Sequence, residues 1–247
     1  CAGAAIRPEL LKFFHAIGLF VNYGYGATET TATVACMRTD KYDLNTCGSV
    51  MPETDVRIGD NEEIIITGET IFKGYYRKPE ETAKVLEGNT FKSGDQGYIS
   101  DDGYFIMTDR IKDMMKTSGG KYISPQKLEL LIGSNKFVEQ IVVVGDNRKF
   151  VSALIIPAYE TLKSKEKELD IVGKNGKEIS ESKRVYEFYE KLIKEEQKAL
   201  DSYEQIKNFI VMPEAFSIEN NALTNTLKIK RKQVTKLNHK LIDSMYK

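Results

Sequence analysis

The chain has 247 residues, 41% of them hydrophobic and 29% charged, an ordinary globular composition that is long enough for one large domain or two small ones. Its 36 basic and 36 acidic residues cancel, so the net charge predicts neither a nucleic-acid-binding surface nor a basic membrane-coating face. The three cysteines have no CxxC or Cys/His spacing, which argues against a disulfide framework or a zinc site and predicts a reducing, cytoplasmic location.

Charge divides the sequence into two parts. Residues 1–110 carry 11 basic and 17 acidic side chains, whereas residues 111–247 carry 25 and 19, so the balance changes from −6 to +6. We therefore predict two units with a boundary near residue 110. The basic excess of the second unit is either a solvated surface or a surface that handles phosphate. Because Cys1 stands in place of an initiator Met, we expect the sequence to be a piece of a longer protein.

In the first unit, apolar residues at helical spacing predict a helix over 8–17, which Gly18 ends, and the apolar triplet 19–21 predicts a short strand. Residues 44–108 hold short apolar runs separated by turns, with a hairpin signal at Asp101-Asp102-Gly103, so this stretch is predicted to be mainly β.

In the second unit, the apolar runs 138–144 and 150–156 predict two buried strands. Amphipathic helices are predicted within 157–208, separated by a surface loop over 170–180. A last helix is predicted over 232–246, with a single apolar stripe formed by Val234, Leu237, Leu241 and Met245.

The polar and glycine-rich segment Gly24–Glu29 is the first candidate for chemistry. It fits neither standard nucleotide loop, because GxGxxG would need a glycine at Glu29 and the pattern GxxxxGK[ST] occurs nowhere. By itself the segment is as typical of a tight turn as of a ligand-binding loop. His15 and His239 lack an evident partner acid or nucleophile, and we interpret both as structural or solvated.

Six blocks occur in the order and spacing of one family. They are Tyr25-Gly26-Ala27-Thr28-Glu29, Gly74-Tyr75-Tyr76 with Pro79-Glu80-Glu81-Thr82, Ser93-Gly94-Asp95, Arg110-Ile111-Lys112-Asp113, Ser118-Gly119-Gly120, and Leu223-Thr224-Asn225-Thr226-Leu227-Lys228-Ile229-Lys230-Arg231. In these blocks the chain resembles the adenylate-forming (acyl-CoA synthetase) superfamily. The last block resembles the long-chain fatty acyl branch, since most short-chain and carrier-loading members have glycine before the lysine.

The resemblance implies a fold of α/β and α+β type. Residues 1–110 would form the end of a large N-terminal adenylation domain, with a β-barrel-like subdomain over about 44–108. Residues 111–247 would form a small, mobile α+β C-terminal domain.

The resemblance also implies roles in nucleotide binding for residues of the first unit. Thr28 would contact the α-phosphate and Glu29 would bind Mg²⁺, as suits a hydroxyl donor and a hard carboxylate. Asp95 would accept hydrogen bonds from the ribose hydroxyls, although a turn-capping role for Asp95 and a helix N-terminal role for Glu29 stay open. The adenine would lie along Gly3, Ala4 and Ala5 and stack on Tyr25. Gly26, the next residue, would also belong to the nucleotide-binding site.

Further roles are implied for residues around the boundary and beyond it. Arg110 would contact the ribose, Lys112 would be the hinge of domain rotation, and Lys112 and Lys116 would reach the adenylate. Gly119 and Gly120 would line the tunnel for the pantetheine arm of coenzyme A, and an aromatic residue at Tyr122 would gate entry near adenine. Lys228 would be the adenylation lysine, with its ammonium aimed inward while neighbouring cations are solvated.

The implied activity is a ligase reaction in which a long-chain fatty acid and ATP give an acyl-adenylate and pyrophosphate, after which coenzyme A displaces AMP. Fatty acid, coenzyme A, ATP or AMP and Mg²⁺ are the implied ligands, and no nucleic acid is expected. Peripheral membrane contact and oligomeric state stay open. Two alternatives are an enzyme that loads an acyl carrier protein, and an inactive nucleotide-binding fragment, since the Ser/Thr/Gly-rich phosphate loop of the family is not in this sequence.

Overall fold

The computed structural model describes residues 1–247 except for the side chain of Lys112. The chain divides into two units, Cys1–Asp113 and Met114–Lys247, and each has apolar clusters of its own. Both units contain helices and strands, as the mixed fold class implies. No helix among the described residues is both long and apolar enough to span a membrane.

The first unit is mainly β. Its elements are α1 (Pro8–Ala16), β1 (Gly24–Tyr25), β2 (Ala35–Cys36), β3 (Ser49–Val50), β4 (Thr54–Ile58), β5 (Glu63–Gly68), α2 (Pro79–Val85), β6 (Leu86–Glu87), β7 (Thr90–Ile99) and β8 (Phe105–Arg110), with 3₁₀ turns at Thr28–Thr30, Asp60–Glu62 and Ile111–Asp113. The first three strands form a small antiparallel sheet, and the other five form an antiparallel sheet in the order β4-β5-β7-β6, with β8 also paired to β7. A β-barrel-like subdomain was expected over about 44–108, but the described strands of this unit form open sheets and no closed barrel.

The second unit is an α+β layer structure. Its elements are β9 (Met115–Lys116), β10 (Tyr122–Ile123), α3 (Pro125–Gly133), β11 (Val138–Val144), β12 (Val151–Pro157), α4 (Tyr159–Leu162), α5 (Glu166–Leu169), α6 (Gly176–Ser180), α7 (Lys183–Glu196), β13 (Ile206–Val211), α8 (Arg231–Leu237) and α9 (His239–Ser244). The central sheet has the order β11-β12-β13, in which β11 is antiparallel and β13 parallel to β12. Every residue of β12 is buried, because one apolar cluster with α3 and α7 covers one face of the sheet and a second cluster with α8 and α9 covers the other.

The predicted strand over 19–21 is wrong, because the chain is irregular there and the nearest strand, β1, begins at Gly24. Leu19 is 55% exposed and Phe20 37% exposed. Among the described residues no strand pairs with this triplet, and an apolar run without a pairing partner cannot form a ladder. Phe13 and Tyr76 are likewise exposed, at 56% and 82%.

The predicted single C-terminal helix is also wrong, because it breaks into α8 and α9 at Asn238. The Asn238 side-chain amide donates to the Val234 carbonyl at 2.9 Å, and such local side-chain bonding competes with regular helix geometry. As a result Ile242 is buried, whereas Leu237 and Leu241, which were expected on the buried stripe, are 54% and 44% exposed. The predicted 170–180 loop likewise contains a short helix, α6.

Candidate active site

Asp95 is the centre of a buried hydrogen-bond network in the first unit. The β7–β8 register places Asp95 directly opposite Arg110, and the Arg110 Nε donates to Asp95 Oδ1 at 2.8 Å. The Tyr25 hydroxyl donates to Asp95 Oδ2 at 2.6 Å, although the two residues are 70 positions apart. The Asp95 side chain is only 4% exposed, while that of Arg110 is 48% exposed. Each carboxylate oxygen thus has one donor, and a carboxylate can accept about four hydrogen bonds in all, so capacity for two ligand hydroxyls remains.

Tyr25 is fixed from two sides. Its ring stacks on that of Phe105 with centroids 5.0 Å apart, and its hydroxyl is bound to Asp95. Burial, together with the negative charge of Asp95, raises the pKa of Tyr25 well above its ordinary value, so the phenol stays a donor. One ring face is therefore occupied by Phe105, and stacking on an adenine would use the other.

The 3₁₀ turn Thr28–Thr30 presents a second acidic group. Glu29 is half-buried, and its Oε1 accepts a hydrogen bond from the Tyr75 hydroxyl at 2.9 Å. Burial and the adjacent Glu29 carboxylate raise the pKa of Tyr75 to about 12. Thr28 is exposed at the start of the turn, where its hydroxyl is accessible to a ligand. The sequence does not predict the contact between Tyr75 and Glu29. The place of Tyr75 in the Gly74-Tyr75-Tyr76 block is its only signal of a role.

The donor set fits Mg²⁺ bound largely by a substrate. Among the described residues there is no group of three or more His, Cys, Asp or Glu side chains that could hold a metal by themselves. Mg²⁺ is commonly held by one or two carboxylates together with substrate phosphates and water. A single partly buried carboxylate, Glu29, oriented by Tyr75, matches that mode of binding.

Gly26 is required by the close approach of the chain after the Thr28 turn. A Cβ at Gly26 would lie 1.4 Å from the Ala32 carbonyl oxygen, which no side chain can accommodate. The chain turns back through Thr31 and Ala32, which have φ values of 52° and 90°, a region that residues other than glycine seldom occupy. The loop is thus compact, and its shape depends on glycine at position 26.

Gly3, Ala4 and Ala5 form an exposed bend near the start of the chain. The segment is attached beside β1, because the Gly24 N–H donates to the Cys1 carbonyl at 3.1 Å. Small exposed residues next to the strand that carries Tyr25 leave room for a flat ring.

In the second unit, β9 and β10 form a hairpin that pairs Lys116 with Tyr122. The Lys116 ammonium lies 5.3 Å from the centre of the Tyr122 ring, and both residues are exposed. Gly119 and Gly120 form the exposed tip, where Gly120 has a φ of 81° and a Cβ on it would meet no atom within 4 Å. The hairpin tip is therefore bare backbone flanked by a cation. The hinge assignment of Lys112 concerns a side chain outside the described residues.

Lys228 is exposed on a tight turn. Its N–H donates to the Thr224 hydroxyl at 3.0 Å, and the Thr224 N–H donates to the Lys228 carbonyl at 2.8 Å. We expected the Lys228 ammonium to point inward, but within the second unit Lys228 is exposed. The cation of this block that turns into the unit is Arg231, which forms an ion pair with Glu129. The sequence motif ends at Arg231 but carries no signal for its partner.

The structure brings Tyr25, Asp95 and Arg110 into one cluster and Glu29 into contact with Tyr75, all within the first unit. The residues of the second unit form two separate exposed features, the glycine-tipped hairpin and the turn that carries Lys228. These features lie on different motifs of the sequence, yet each presents polar or cationic groups to solvent.

Comparison with known proteins gives two family matches. The family described as AMP-binding enzyme matches residues 1–76, and the family described as AMP-binding enzyme C-terminal domain matches residues 112–247. The chain is 30% identical over 245 residues to the long-chain-fatty-acid–CoA ligase FadD15 of Mycobacterium bovis, covering 99% of this chain and 41% of that protein. It is 31% identical over 267 residues to the chloroplastic long-chain-fatty-acid–[acyl-carrier-protein] ligase AEE15 of Arabidopsis thaliana, covering 99% and 35%.

Among solved structures, the fold is similar to the A domain of carboxylic acid reductase from Segniliparus rugosus in complex with AMP and a co-purified carboxylic acid. The TM-score is 0.77 at 24% identity, over 99% of this chain and 38% of that one. This likeness confirms the fold class that the motifs implied. The chain spans about two fifths of the length of the curated relatives it matches.

Proposed function

Because the chain belongs to the AMP-binding enzyme family, we propose that the native protein is an AMP-forming ligase that activates long-chain fatty acids with ATP and transfers them to coenzyme A. In the first half-reaction a carboxylate oxygen attacks the α-phosphorus of ATP, the bond to the bridging oxygen breaks, and pyrophosphate leaves. In the second, the thiol sulfur attacks the acyl carbonyl carbon, the carbon–oxygen bond to AMP breaks, and the thiol proton is released.

The Asp95 network carries the proposal, because it unites residues of three separate motifs around one buried carboxylate. Asp95 would accept hydrogen bonds from the two ribose hydroxyls, with its carboxylate oriented by Arg110 and Tyr25. An ionised acceptor with two oxygens is well suited to a vicinal diol. Adenine would stack on Tyr25 against the small residues Gly3, Ala4 and Ala5.

The phosphates would be bound at the Thr28 turn. Thr28 would donate its hydroxyl to the α-phosphate, and Gly26 permits the compact shape of the loop that carries Thr28. Glu29 would hold Mg²⁺, which, when bound, supplies positive charge to the phosphate oxygens. Tyr75 would orient the Glu29 carboxylate through its hydroxyl.

Lys228 would act in the first half-reaction only. An ammonium between the fatty carboxylate and the α-phosphate aligns two anions that repel each other and stabilises charge in the pentavalent transition state. Lys116 and Lys112 would add contacts to the adenylate, and Lys112 would be the hinge about which residues 111–247 rotate. After rotation, the hairpin tip at Gly119 and Gly120 would border the passage for the pantetheine arm, since bare backbone leaves room for a narrow thiol chain.

A direct assay tests the proposal. The native protein is incubated with palmitate and ATP, and with coenzyme A, an acyl carrier protein or neither as acceptor. Formation of AMP, pyrophosphate and palmitoyl-CoA supports the proposed ligase. Absence of pyrophosphate under all three conditions contradicts it and favours a nucleotide-binding role without catalysis, which a calorimetric titration with AMP would then detect.

An acyl carrier protein is the second candidate acceptor, because a relative of similar identity is named as an acyl-carrier-protein ligase. Both acceptors present the same pantetheine thiol, so the residues of the first half-reaction do not distinguish them. Acyl transfer to the carrier protein at a rate well above that to coenzyme A would favour this alternative.

A further inference from the structure

Arg231, at the start of α8, turns its guanidinium into the second unit although it lies only three residues after Lys228. Its side chain is 21% exposed and that of its partner Glu129 is 17% exposed. The two terminal nitrogens of Arg231 bind both Glu129 oxygens, with Nη2 to Oε2 at 2.9 Å, and Nη1 also donates to the Val143 carbonyl at 2.8 Å. A planar guanidinium on a carboxylate in this two-point geometry fixes orientation as well as distance.

Glu129 is itself tied to the core of the unit. It lies on α3, and its Oε1 accepts a hydrogen bond from the N–H of Val143 on β11 at 2.7 Å. Val143 is completely buried. The Arg231 clamp, by which we mean Arg231, Glu129 and the backbone of Val143, therefore joins the start of α8 to a helix and a strand of the core.

The turn that carries Lys228 is a narrow hairpin. Leu223 and Ile229 form a β-bridge across its base, and the N–H of Lys230 donates to the Ala222 carbonyl at 2.8 Å. One arm is fixed by the buried residues Ala222 and Leu223. The other arm runs through the half-buried Ile229 directly to Arg231. The clamp is consequently the charged anchor of the arm on which Lys228 lies.

We propose that Arg231 and Glu129 are positioning residues for Lys228, holding the hairpin so that the lysine enters the adenylation site in a defined place. This proposal rests on the role proposed above for Lys228. A lysine side chain is long and flexible, so the accuracy of its ammonium depends on a fixed backbone. A displacement of about 1 Å at a reacting group can cost about a hundredfold in rate.

The test uses Glu129→Gln and Arg231→Met in the native protein. Acyl-adenylate formation is measured as pyrophosphate release with palmitate and ATP, and thioester formation is measured from supplied palmitoyl-adenylate and coenzyme A. We expect kcat for adenylation to fall about tenfold or more. The KM for ATP should stay within about twofold, because Asp95 and Arg110 are unchanged, and thioester formation should also stay within about twofold, because that step does not use Lys228.

Asp243→Asn is the matched control. Like Glu129→Gln it converts an acid to its amide and breaks an ion pair, here the one between Asp243 on α9 and Arg148, but it leaves the Lys228 hairpin and the clamp intact. Adenylation should stay within about twofold. Arg231→Lys, which keeps the charge but not the two-point geometry, should give an intermediate rate.

The proposal is overturned if Glu129→Gln lowers both half-reactions equally, if it lowers neither, or if Asp243→Asn lowers adenylation as much. Should Arg231→Met fail to fold, Glu129→Gln decides alone, since it keeps an acceptor for the Val143 N–H. Lys228→Ala in the same assay distinguishes a failure of the role proposed for Lys228 from a failure of the positioning role proposed for the Arg231 clamp. If it leaves adenylation unchanged, the proposed function of Lys228 fails and the clamp role with it. If it abolishes adenylation while the clamp variants leave the rate within about twofold of the parent, only the clamp role fails.

Discussion

Each oxygen of the Asp95 carboxylate accepts one hydrogen bond, from Tyr25 or from Arg110, and can accept another from a ligand. We therefore predict that nucleotide affinity depends on Asp95. Asp95→Asn keeps the size of the side chain but removes the charge, and charge-assisted hydrogen bonds are about twice as strong as neutral ones. We expect the affinity for AMP and for ATP to fall together by about tenfold or more, which corresponds to about 1.4 kcal/mol. Calorimetric titration of the native protein measures both.

Tyr25→Phe is the control for this titration, because it removes one donor to the carboxylate and leaves its charge and the ring stacked on Phe105 in place. Its loss of affinity should be the smaller of the two. Unchanged nucleotide affinity in Asp95→Asn would show that the Asp95 network is structural only.

The Tyr75 phenol provides a prediction about pH. Its pKa is raised to about 12, first by burial and then by the Glu29 carboxylate, so the neutral phenol is favoured in the folded state. The hydrogen bond from the Tyr75 hydroxyl to Glu29 therefore contributes its full stability below pH 10, the ordinary pKa of a tyrosine phenol. That stability is lost as the pH rises toward 12. The phenolate absorbance of the parent minus that of Tyr75→Phe reports the ionisation of Tyr75 alone. This difference should titrate with a midpoint near pH 12, and Glu29→Gln should lower the midpoint. A midpoint near 10 in the parent would refute the contact.

Gly26→Ala tests the close approach in the Thr28 turn. Since the added Cβ would fall on the Ala32 carbonyl oxygen, the backbone has to move, and overpacking of this kind typically costs about 1–3 kcal/mol. We expect a loss at the upper end of this range in the free energy of unfolding, measured by chemical denaturation. Gly119→Ala is the control, because a Cβ there would meet nothing closer than 3.9 Å, and its effect should stay within about 0.5 kcal/mol.

The short helix α6 begins with a side-chain cap, although its sequence is also typical of a loop. Asn175 and Glu178 form a reciprocal capping box, with the Glu178 N–H donating to Asn175 Oδ1 at 3.1 Å and the Asn175 N–H donating to Glu178 Oε2 at 2.8 Å. Gly173, Gly176 and the neighbouring lysines favour a loop, whereas the Asn-x-x-Glu spacing of Asn175 and Glu178 favours a helix start. The predicted loop over 170–180 took only the first signal into account.

Asn175→Ala should cost about 1 kcal/mol in the free energy of unfolding, as the loss of a helix N-cap usually does. The matched control is Ser182→Ala, because Ser182 precedes α7 but makes no capping hydrogen bond through its side chain. That substitution should be close to neutral in the same denaturation experiment. Equal effects of the two would mean that the capping box contributes nothing to stability.

Elements with a strong periodic pattern could be predicted, and those decided by partners distant in sequence could not. The buried strands β11 and β12 and the β7–β8 hairpin lie close to where apolar runs and the Asp-Asp-Gly turn predicted them. The predicted strand over 19–21 was wrong because a strand needs a second strand to pair with, and the triplet has none among the described residues. The break at Asn238 depends on one side-chain bond.

The same distinction applies to the candidate site. The motifs pointed to Asp95, Arg110 and Tyr25 separately, and their convergence on one carboxylate needed the strand register. The sequence does not distinguish Arg231 from the neighbouring cations, because nothing in it indicates an ion pair with Glu129, 102 positions away.

For the whole molecule, the last prediction concerns the link between the units, which the structure divides at Asp113 and Met114. The apolar cluster of the first unit extends to Met107 and that of the second begins at Met115, so none of the described side chains between them belongs to either core. Segments with few buried contacts open locally at low cost and are cleaved first.

Trypsin should therefore cut the native protein first after Arg110, Lys112 or Lys116, which mass spectrometry of the early fragments would identify. The internal comparison is the lysine-rich region 163–198, which offers many more target residues but lies largely on helices, with Leu169, Val185, Tyr189 and Ile193 buried. Early cleavage there with the 110–116 segment spared would contradict both the low local stability of the link and the proposed hinge at Lys112. Cleavage at 110–116 that leaves two resistant fragments is the outcome that a hinge between two independently packed units requires.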